Sequence, residues 1–352
     1  MRHYFGKRKK GTAGYGNAVK TPIRMNYVKV TFFITFLFYQ HIPAFEFLDS
    51  RSGSVSGGMG NISACSIGNA DSADQNPAAI TGQNMKIQIA GSINPNPDAM
   101  TVLGGSIGFK PLTFFAVGIS MNGVNYGSMT GDVMYQGDEG RRIDSGDVSV
   151  RGVVGLVKRN LFTLPINIHA GISGKYAASR LDDVLLSGFS SDMGIIITAD
   201  NLLPRLGTRR ISKTPTAPNT IYAGLLVRNV FSTIREEYAA DYADVNFIPG
   251  AGYSYSIRRL FTARMFFDYE TAVETLHLGA ETALFDLVYL RAGTEIAAGN
   301  ETFTFGGGIR KTIGLGLELA VNYTIVPSGF LGTSQTVGIS VGFGQPRHLW
   351  AP

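Results

Sequence analysis

The sequence has one cysteine, one tryptophan, and only 16% charged residues in a chain of 352. A single cysteine, Cys65, excludes an internal disulfide, and we expect it to serve as a small packing residue. From Met85 onward no apolar run approaches the roughly 18 residues that a membrane-spanning helix needs. The sequence therefore offers neither a disulfide-stabilised domain nor a helical membrane anchor after that point.

Acidic residues are absent from positions 1–24, which hold seven of the 31 Lys and Arg residues. Without residues 1–24 the chain has 24 basic and 26 acidic residues, a net charge of −2 (24 − 26). The basic pI of the whole chain thus comes from its first residues, and a nucleic-acid partner is not indicated.

Motifs of catalysis are also missing. The chain has no P-loop and no dinucleotide fingerprint, and its five histidines lack the spacing of metal ligands. Two G-x-S-x-G matches, at 104–108 and 338–342, lie in alternating segments with no helix after them, unlike a nucleophile elbow. We expect no enzyme activity, no cofactor and no metal.

Residues 1–45 have the features of a leader that contains a signal peptide. Lys29 precedes an apolar stretch from Val30 to Tyr39, the length of a signal-peptide core, and Ala44 is a candidate cleavage position. Met25 is an alternative start. A buried N-terminal strand or helix is the other interpretation of this stretch. The signal-peptide interpretation predicts an exported protein.

Alternation of apolar and polar residues dominates the rest of the chain. In "LGLELAVNYTIV", the residues Leu317, Leu319, Val321 and Tyr323 share one face, and small or polar residues share the other. Fourteen such segments follow one another between 85 and 345, many of them 10–13 residues long. Strands of this length suit a bilayer, and an even number suits a closed antiparallel barrel. The fold class predicted is an all-β, 14-stranded antiparallel transmembrane β-barrel; a soluble two-sheet protein is the alternative.

The polar faces carry Gly, Ser, Thr and Asn with a few charges of both signs. We expect these charges to face the lumen, where they either line a substrate path or pair across adjacent strands. The polar lumen residues predicted are His169, Lys175, Arg264, Asp268, Glu281, Arg291, Glu295 and Glu318, with His277 beside them. The aromatic residues predicted for the membrane interfaces are Tyr253, Tyr255, Tyr269, Tyr289, Phe303, Phe305 and Tyr323.

Connections between the segments alternate imperfectly between short and long. The long ones at 126–145 and 229–248 are expected on the external side, as in outer-membrane barrels. The connection at 200–218 is long where a tight turn is expected.

A short stretch before the first strand does not alternate. In "NADSADQNPAAITG", Asn76 is a good N-cap, Pro77 suits the first helical position, and Gly82 can end the turn. One capped turn is not stable in isolation. We expect it to pack against the barrel that follows.

This stretch resembles the N-terminal signature of FadL-like outer-membrane proteins, in particular PorV-type proteins and a spirochaete family of similar barrels. The matching elements are Gly58-Met59-Gly60, Ala70-Asp71 and Asn76-Pro77-Ala78. The phrase "ITADNLLPRLG" at 197–207 is similar to a strand-ending element of the same branch.

The resemblance implies a small N-terminal hatch in the lumen (46–84), a barrel (85–345) and a short tail (346–352). Asn76, Pro77 and Ala78 would belong to the hatch and ligand passage, and Gly118 or Gly123 would seat a third-strand kink. The implied function is passive outer-membrane uptake of hydrophobic small molecules such as long-chain fatty acids, gated by the hatch. The partners implied are outer-membrane lipid and such a ligand. The alternatives are a PorV-like scaffold that binds protein partners through 126–145 and 229–248, and a surface adhesin.

Overall fold

The fold is described from a computed structural model, which covers residues 53–68, 71–95, 100–130, 142–161, 164–181, 184–201, 219–235, 240–257, 260–313, 316–327 and 332–344. The predicted leader (1–45), residues 46–52 of the predicted hatch and the tail after 344 lie outside these residues. No helix among the described residues is long and apolar enough to cross a membrane.

Fourteen antiparallel strands form a closed barrel, as predicted. Each strand pairs with its sequence neighbour, β1 pairs with β15, and β6–β7 pairing completes the ring. A two-residue strand, β8, pairs only with the end of β7. The strands are β1 (Ile87–Pro95), β2 (Thr101–Leu112), β3 (Phe115–Thr130), β4 (Arg142–Lys158), β5 (Ile166–Leu181), β6 (Val184–Asp200), β7 (Asn219–Arg235), β8 (Ala240–Asp241), β9 (Asn246–Ile257), β10 (Phe261–Glu270), β11 (Thr275–Leu284), β12 (Val288–Ala297), β13 (Asn300–Ile313), β14 (Leu317–Pro327) and β15 (Thr333–Phe343).

The outer face of the barrel is apolar and the inner face is polar. On β1 and β2 the exposed side chains are Ile87, Ile89, Leu103, Ile107 and Phe109, and the residues between them point inward. A soluble β-sandwich would bury its apolar face, so the soluble alternative is wrong. A continuous apolar exterior is what the hydrocarbon of a bilayer requires.

The two long connections predicted at 126–145 and 229–248 are shorter than expected. β3 continues to Thr130 beyond a register shift near Gly127, and β7 continues to Arg235 beyond a shift near Asn229. Gly127 and Asn229 have φ values of 75° and 56°. Such left-handed residues mark β-bulges here, and in the sequence they have the appearance of strand ends. β6 ends at Asp200 and β7 begins at Asn219, so this connection is long although a tight turn is expected there.

Six of the seven aromatic residues predicted for the membrane interfaces lie on the outer face of the barrel. Tyr253, Tyr255, Tyr269, Phe303, Phe305 and Tyr323 are exposed on the outside. The prediction for Tyr289 is wrong, because its side chain is buried and faces inward. There the guanidinium groups of Arg291 and Arg310 lie 5.5 and 4.8 Å from the centre of its ring. Tyr289 shares its parity with Arg291, so both residues occupy the same face of β12.

Candidate functional site

Residues 53–83, here called the inner segment, contain three short helical elements. They are α1 (Ser54–Gly57) and two 3-10 helices, Asp71–Asp74 and Pro77–Gly82. Asn76 caps the second 3-10 helix, since its Oδ1 accepts from the Ala78 backbone nitrogen at 3.0 Å. Its Nδ2 also donates to the Ala64 carbonyl at 2.7 Å. The capped turn ending at Gly82 is therefore confirmed, and one side chain joins two parts of the segment.

The inner segment binds strands all around the barrel. The Asp268 carboxylate on β10 accepts from the backbone nitrogens of Ser63 and Ala64 at 2.6 and 2.7 Å. On the other side, the Asp74 carboxylate accepts from Ser120 and Asn122 of β3 at 3.0 and 2.9 Å. A segment that contacts opposite sides of a closed sheet through its inner face lies in the lumen.

Further contacts extend this ring of partners. The Gly60 nitrogen donates to Thr304 of β13 at 2.9 Å, and Thr81 is hydrogen-bonded to His169 of β5 at 2.5 Å. Lys110 of β2 donates to the Thr81 carbonyl. A hydrogen bond from a charged group such as Lys110 contributes about 1.5–3 kcal/mol, and one between neutral groups about 0.5–1.5 kcal/mol. Several strands together therefore hold the inner segment.

Glycines on the barrel wall make room for the inner segment. A Cβ added at Gly171 would lie 2.5 Å from the backbone nitrogen of Ala78, and one added at Gly293 would overlap the backbone at Met59 and Gly60. Close approach of two backbones is a use of strand glycine. An added Cβ would come within 3.2 Å of the inner segment at eleven glycines, one on each of eleven strands: Gly108, Gly118, Gly155, Gly171, Gly194, Gly224, Gly250, Gly279, Gly293, Gly306 and Gly338. The wall is thus shaped to the segment that it encloses.

One buried charge cluster joins the inner segment to β4, β5 and β6. Asp192 is fully buried and lies 3.4 Å from Arg151 Nη2 and 3.8 Å from Lys175 Nζ. Arg151 also donates to the Asp74 carbonyl, and the Asn229 nitrogen donates to Asp192 at 3.1 Å. Two cations and two carboxylates thus converge where the inner segment meets the wall.

A second cluster lies on β10 to β14. Glu281 accepts from Arg264 at 2.5 Å and from Arg291 Nε at 2.8 Å, and Arg291 also donates to Asn322. Glu318 lies 3.9 Å from Arg310 on the next strand. These are the pairs across adjacent strands that the sequence predicted as one of two possibilities.

The third cluster touches the inner segment directly. His277 Nδ1 donates to the Gly60 carbonyl at 2.8 Å, and its Nε2 lies 3.3 Å from Glu270. Glu295 accepts from Asn61 Nδ2 at 2.6 Å. No three metal-ligating side chains converge as a metal site would require among the residues that the structure describes. We interpret the cluster as an anchor for residues 60 and 61.

An apolar cluster packs between the inner segment and one side of the wall. Leu226, Ile248 and Phe266 of β7, β9 and β10 contact Met59, Ile62 and Cys65 of the inner segment, and Tyr222 packs beside them. The Phe266 and Tyr222 rings are 5.6 Å apart. Burial, and then the nearby Asp268 carboxylate, raise the pKa of the Cys65 thiol. Cys65 is the buried packing residue that we predicted.

No protein-family model matches the chain, and no curated protein sequence does. Solved barrel structures match it in fold. The Pseudomonas putida toluene transporter TodX is 9% identical, with a TM-score of 0.51 over 84% of this chain and 100% of TodX.

The chain shares the barrel fold of TodX.

The Ralstonia pickettii toluene transporter TbuX is also 9% identical, with a TM-score of 0.48 over 82% of this chain and 96% of TbuX. A Pseudomonas aeruginosa FadL homologue is 10% identical, with a TM-score of 0.45 over 82% of this chain and 97% of its own. At this identity the likeness to TodX establishes the fold alone, and as a fold the FadL-like barrel predicted from the sequence is confirmed.

In this TodX-like barrel the predicted hatch residues and the predicted lumen residues all lie inside the barrel wall. Asn76, Pro77 and Ala78 are fully or nearly fully buried against β5 and β6. The charged residues predicted for the lumen all point inward. Those predicted residues are His169, Lys175, Arg264, Asp268, Glu281, Arg291, Glu295 and Glu318.

The two glycines predicted for a third-strand kink lie in regular ladders. Gly118 pairs with Gly108 and Val153, and Gly123 pairs with Leu103 and Val148. The irregularity of β3 begins at Asn125, close to the bulge described above. Gly118 has another part in the structure, since a Cβ there would collide with Ile80 of the inner segment.

Three residues at the centre of the first cluster were not predicted: Asp74, Arg151 and Asp192. Each has a local signal, because Arg151 and Asp192 occupy polar positions in alternating strands and Asp74 is acidic among small residues. Their convergence depends on the pairing of β4 with β5 and β5 with β6. Sequence spacing alone does not contain that register.

Proposed function

We propose that this chain is an outer-membrane barrel that passes hydrophobic small molecules, such as long-chain fatty acids, when the inner segment moves as a hatch. The apolar cluster at β7, β9 and β10 carries this proposal. With the inner segment displaced, Tyr222, Leu226, Ile248 and Phe266 would form an apolar surface in an otherwise polar lumen. Such a surface suits a hydrophobic ligand.

Two further observations support passage through the barrel. The apolar exterior suits a bilayer, which places the two ends of the lumen on opposite sides of the membrane. Hydrogen bonds and ion pairs hold the inner segment, and these contacts can break and re-form. The similar fold of TodX, a toluene transporter, agrees with the proposal.

Removal of the Phe266 ring tests the ligand surface. We expect Phe266→Ala to lower the uptake of a radiolabelled long-chain fatty acid into proteoliposomes about tenfold, the equivalent of about 1.4 kcal/mol of lost binding. Phe267→Ala is the matched control, because Phe267 is the next residue and faces outward. Equal uptake by both variants, or no uptake by the unmodified protein, would contradict the proposal.

One observation favours the second candidate, a barrel that binds a protein partner. Strands β3 to β7 have 16–17 residues, whereas β9 to β12 have 10–12, so one side of the wall is longer. Phe231 and Tyr242 are each 69% exposed at that end. Stoichiometric capture of one outer-membrane protein that is lost in a Phe231→Ser/Tyr242→Ser variant would support this candidate.

A further inference from the structure

Apolar side chains are exposed at the tips of the short turns at one end of the barrel. This end, here called the turn end, includes the turns at 112–115, 257–261 and 284–288. Phe114 is 53% exposed, Leu260 52% and Phe285 68%. Turns that face water favour Gly, Pro, Asn, Asp and Ser. The tips at the turn end therefore do not have the composition of turns that project into water.

Phe285 occupies a backbone conformation that suits a different residue. The Leu287 nitrogen donates to the Leu284 carbonyl at 2.9 Å, and between them Phe285 and Asp286 have φ values of 57° and 53°. A two-residue turn of this kind favours Asn and Gly, because a bulky side chain crowds the backbone at positive φ. The exposed ring weakens the turn and packs little against the barrel. It indicates a contact outside the chain.

Exposed lysines follow the turn tips on the neighbouring strands. The nitrogen of the residue before Lys158 of β4 donates to the Phe114 carbonyl at 2.8 Å. In the same way, the nitrogen of the residue before Lys311 of β13 donates to the Leu287 carbonyl at 2.8 Å. Both lysines are exposed. Two turns of the turn end thus combine an exposed aromatic residue with a basic residue on the next strand.

Lys311 marks a level on the outer face of β13. Ile309 and Ile313 are 59% and 46% exposed on the same face, one on each side of it. A lysine among membrane-facing apolar residues keeps its methylenes on the apolar surface and extends its ammonium group to the headgroups. Val288 pairs with Ile309, so the tip at Phe285 lies near the level of Lys311.

Exposed charge differs between the two ends of the barrel. Among the residues that the structure describes at the turn end, four exposed charged side chains are basic and one is acidic: Lys86, Lys158, Arg159, Lys311 and Asp286. At the opposite end, the described ones are two basic and three acidic: Arg180, Arg235, Asp244, Glu274 and Glu301. Basic residues beside a membrane surface attract anionic lipids. The charge of the turn end is complementary to such lipids.

We propose that the turn end lies in the headgroup layer of the periplasmic leaflet and binds anionic phospholipid headgroups there. Short turns face the periplasm in outer-membrane barrels. Phe114, Leu260 and Phe285 reach the upper part of the acyl chains, and Lys158 and Lys311 bind the headgroups beside them. This binding rests on the membrane location proposed above, and it requires neither a ligand in the lumen nor movement of the inner segment.

Quenching of tryptophan fluorescence by brominated phospholipids measures this binding without transport. Phe285→Trp in a Trp350→Phe background gives the chain a single tryptophan, at the turn end. In mixed vesicles we expect brominated phosphatidylglycerol to quench it with about fivefold higher affinity than brominated phosphatidylcholine. A fivefold ratio equals about 1 kcal/mol, the attraction typical of one basic residue near an anionic membrane.

Variants of Lys311 assign the preference to its charge. Lys311→Gln should reduce the affinity ratio to about one, whereas Lys311→Arg should keep it near five. Phe303→Trp in the same background is the matched control, because Phe303 is an exposed ring on the same strand near the opposite end. We expect a ratio of about one at that position.

Three results would overturn the proposal. The absence of quenching by either lipid would place the turn tip in water. Equal affinity for the two lipids, or a preference that Lys311→Gln leaves intact, would exclude recognition of anionic headgroups by the basic residue. If Phe285→Trp does not fold, Phe114→Trp with and without Lys158→Gln applies the same measurement at the other turn, with the same expected ratios.

Discussion

A leucine in place of Gly171 is expected to expel the inner segment from its position and to make Cys65 reactive. The added side chain would meet the backbone of Pro77 and Ala78, and backbone atoms cannot turn aside as a flexible side chain can. The second 3-10 helix must then leave β5. Cys65 would move with this helix, because the side chain of Asn76, at the start of the helix, donates a hydrogen bond to the carbonyl of the neighbouring Ala64.

Maleimide labelling of the natural cysteine measures this release without a reporter mutation. In the closed barrel Cys65 is fully buried and burial raises the pKa of its thiol, so little reactive thiolate reaches the reagent. We expect Gly171→Leu to increase the labelling rate at least a hundredfold, the equivalent of about 2.7 kcal/mol. Gly152→Leu is the control, since that glycine is exposed on β4 and a Cβ there meets no atom within 4 Å. A folded Gly171→Leu barrel in which Cys65 stays protected would contradict the packing described.

Asp192→Ala is expected to give the largest loss of stability. The substitution removes the carboxylate that pairs with both Arg151 and Lys175, leaves Asp74 4.0 Å from Arg151, and removes the acceptor of the Asn229 nitrogen. Removal of one partner from a buried ion pair costs about 3–5 kcal/mol, because a charge is left uncompensated.

Urea unfolding in detergent or lipid vesicles would measure this change. Glu301→Ala, which removes an exposed acidic residue from β13, should change the free energy of unfolding by less than about 0.5 kcal/mol. Replacement of Lys175 by methionine in the Asp192→Ala variant should recover part of the loss. If Asp192→Ala costs no more than Glu301→Ala, the cluster does not stabilise the barrel.

Much of the fold is present in the sequence because strands have a period of two. The inward and outward faces of β5 and β14 follow directly from the alternation of residues such as Ile172 and Ser173. Prediction failed where the period breaks. A left-handed Asn229 has the pattern of a loop start, but the carboxylate of Asp192 on β6 holds its nitrogen and the strand resumes.

The candidate site likewise has some features that the sequence predicts and others that it does not. The cap at Asn76 is a local feature, since its partner at Ala78 is two residues away. The anchor at Asp268 joins atoms about two hundred residues apart in sequence, so spacing gives no indication of it. The sequence shows many glycines on the lumen faces of the strands. Which atoms of the inner segment approach each glycine depends on the path of that segment, which the sequence does not give.

Movement of the inner segment is the central claim, and a reversible lock tests it most directly. Gly58 and Gly306 face each other so closely that a Cβ on each would lie 3.1–3.2 Å from the Cα of the other. The two positions lie closer together than a disulfide needs, so a small backbone shift at Gly58 would let Gly58→Cys and Gly306→Cys form one in a Cys65→Ala background. The measurement is fatty-acid uptake by proteoliposomes of this variant, oxidised and then reduced. Uptake that is lost on oxidation and restored on reduction is the result expected for a moving hatch. Equal uptake in both states would show that the inner segment is a fixed part of the wall.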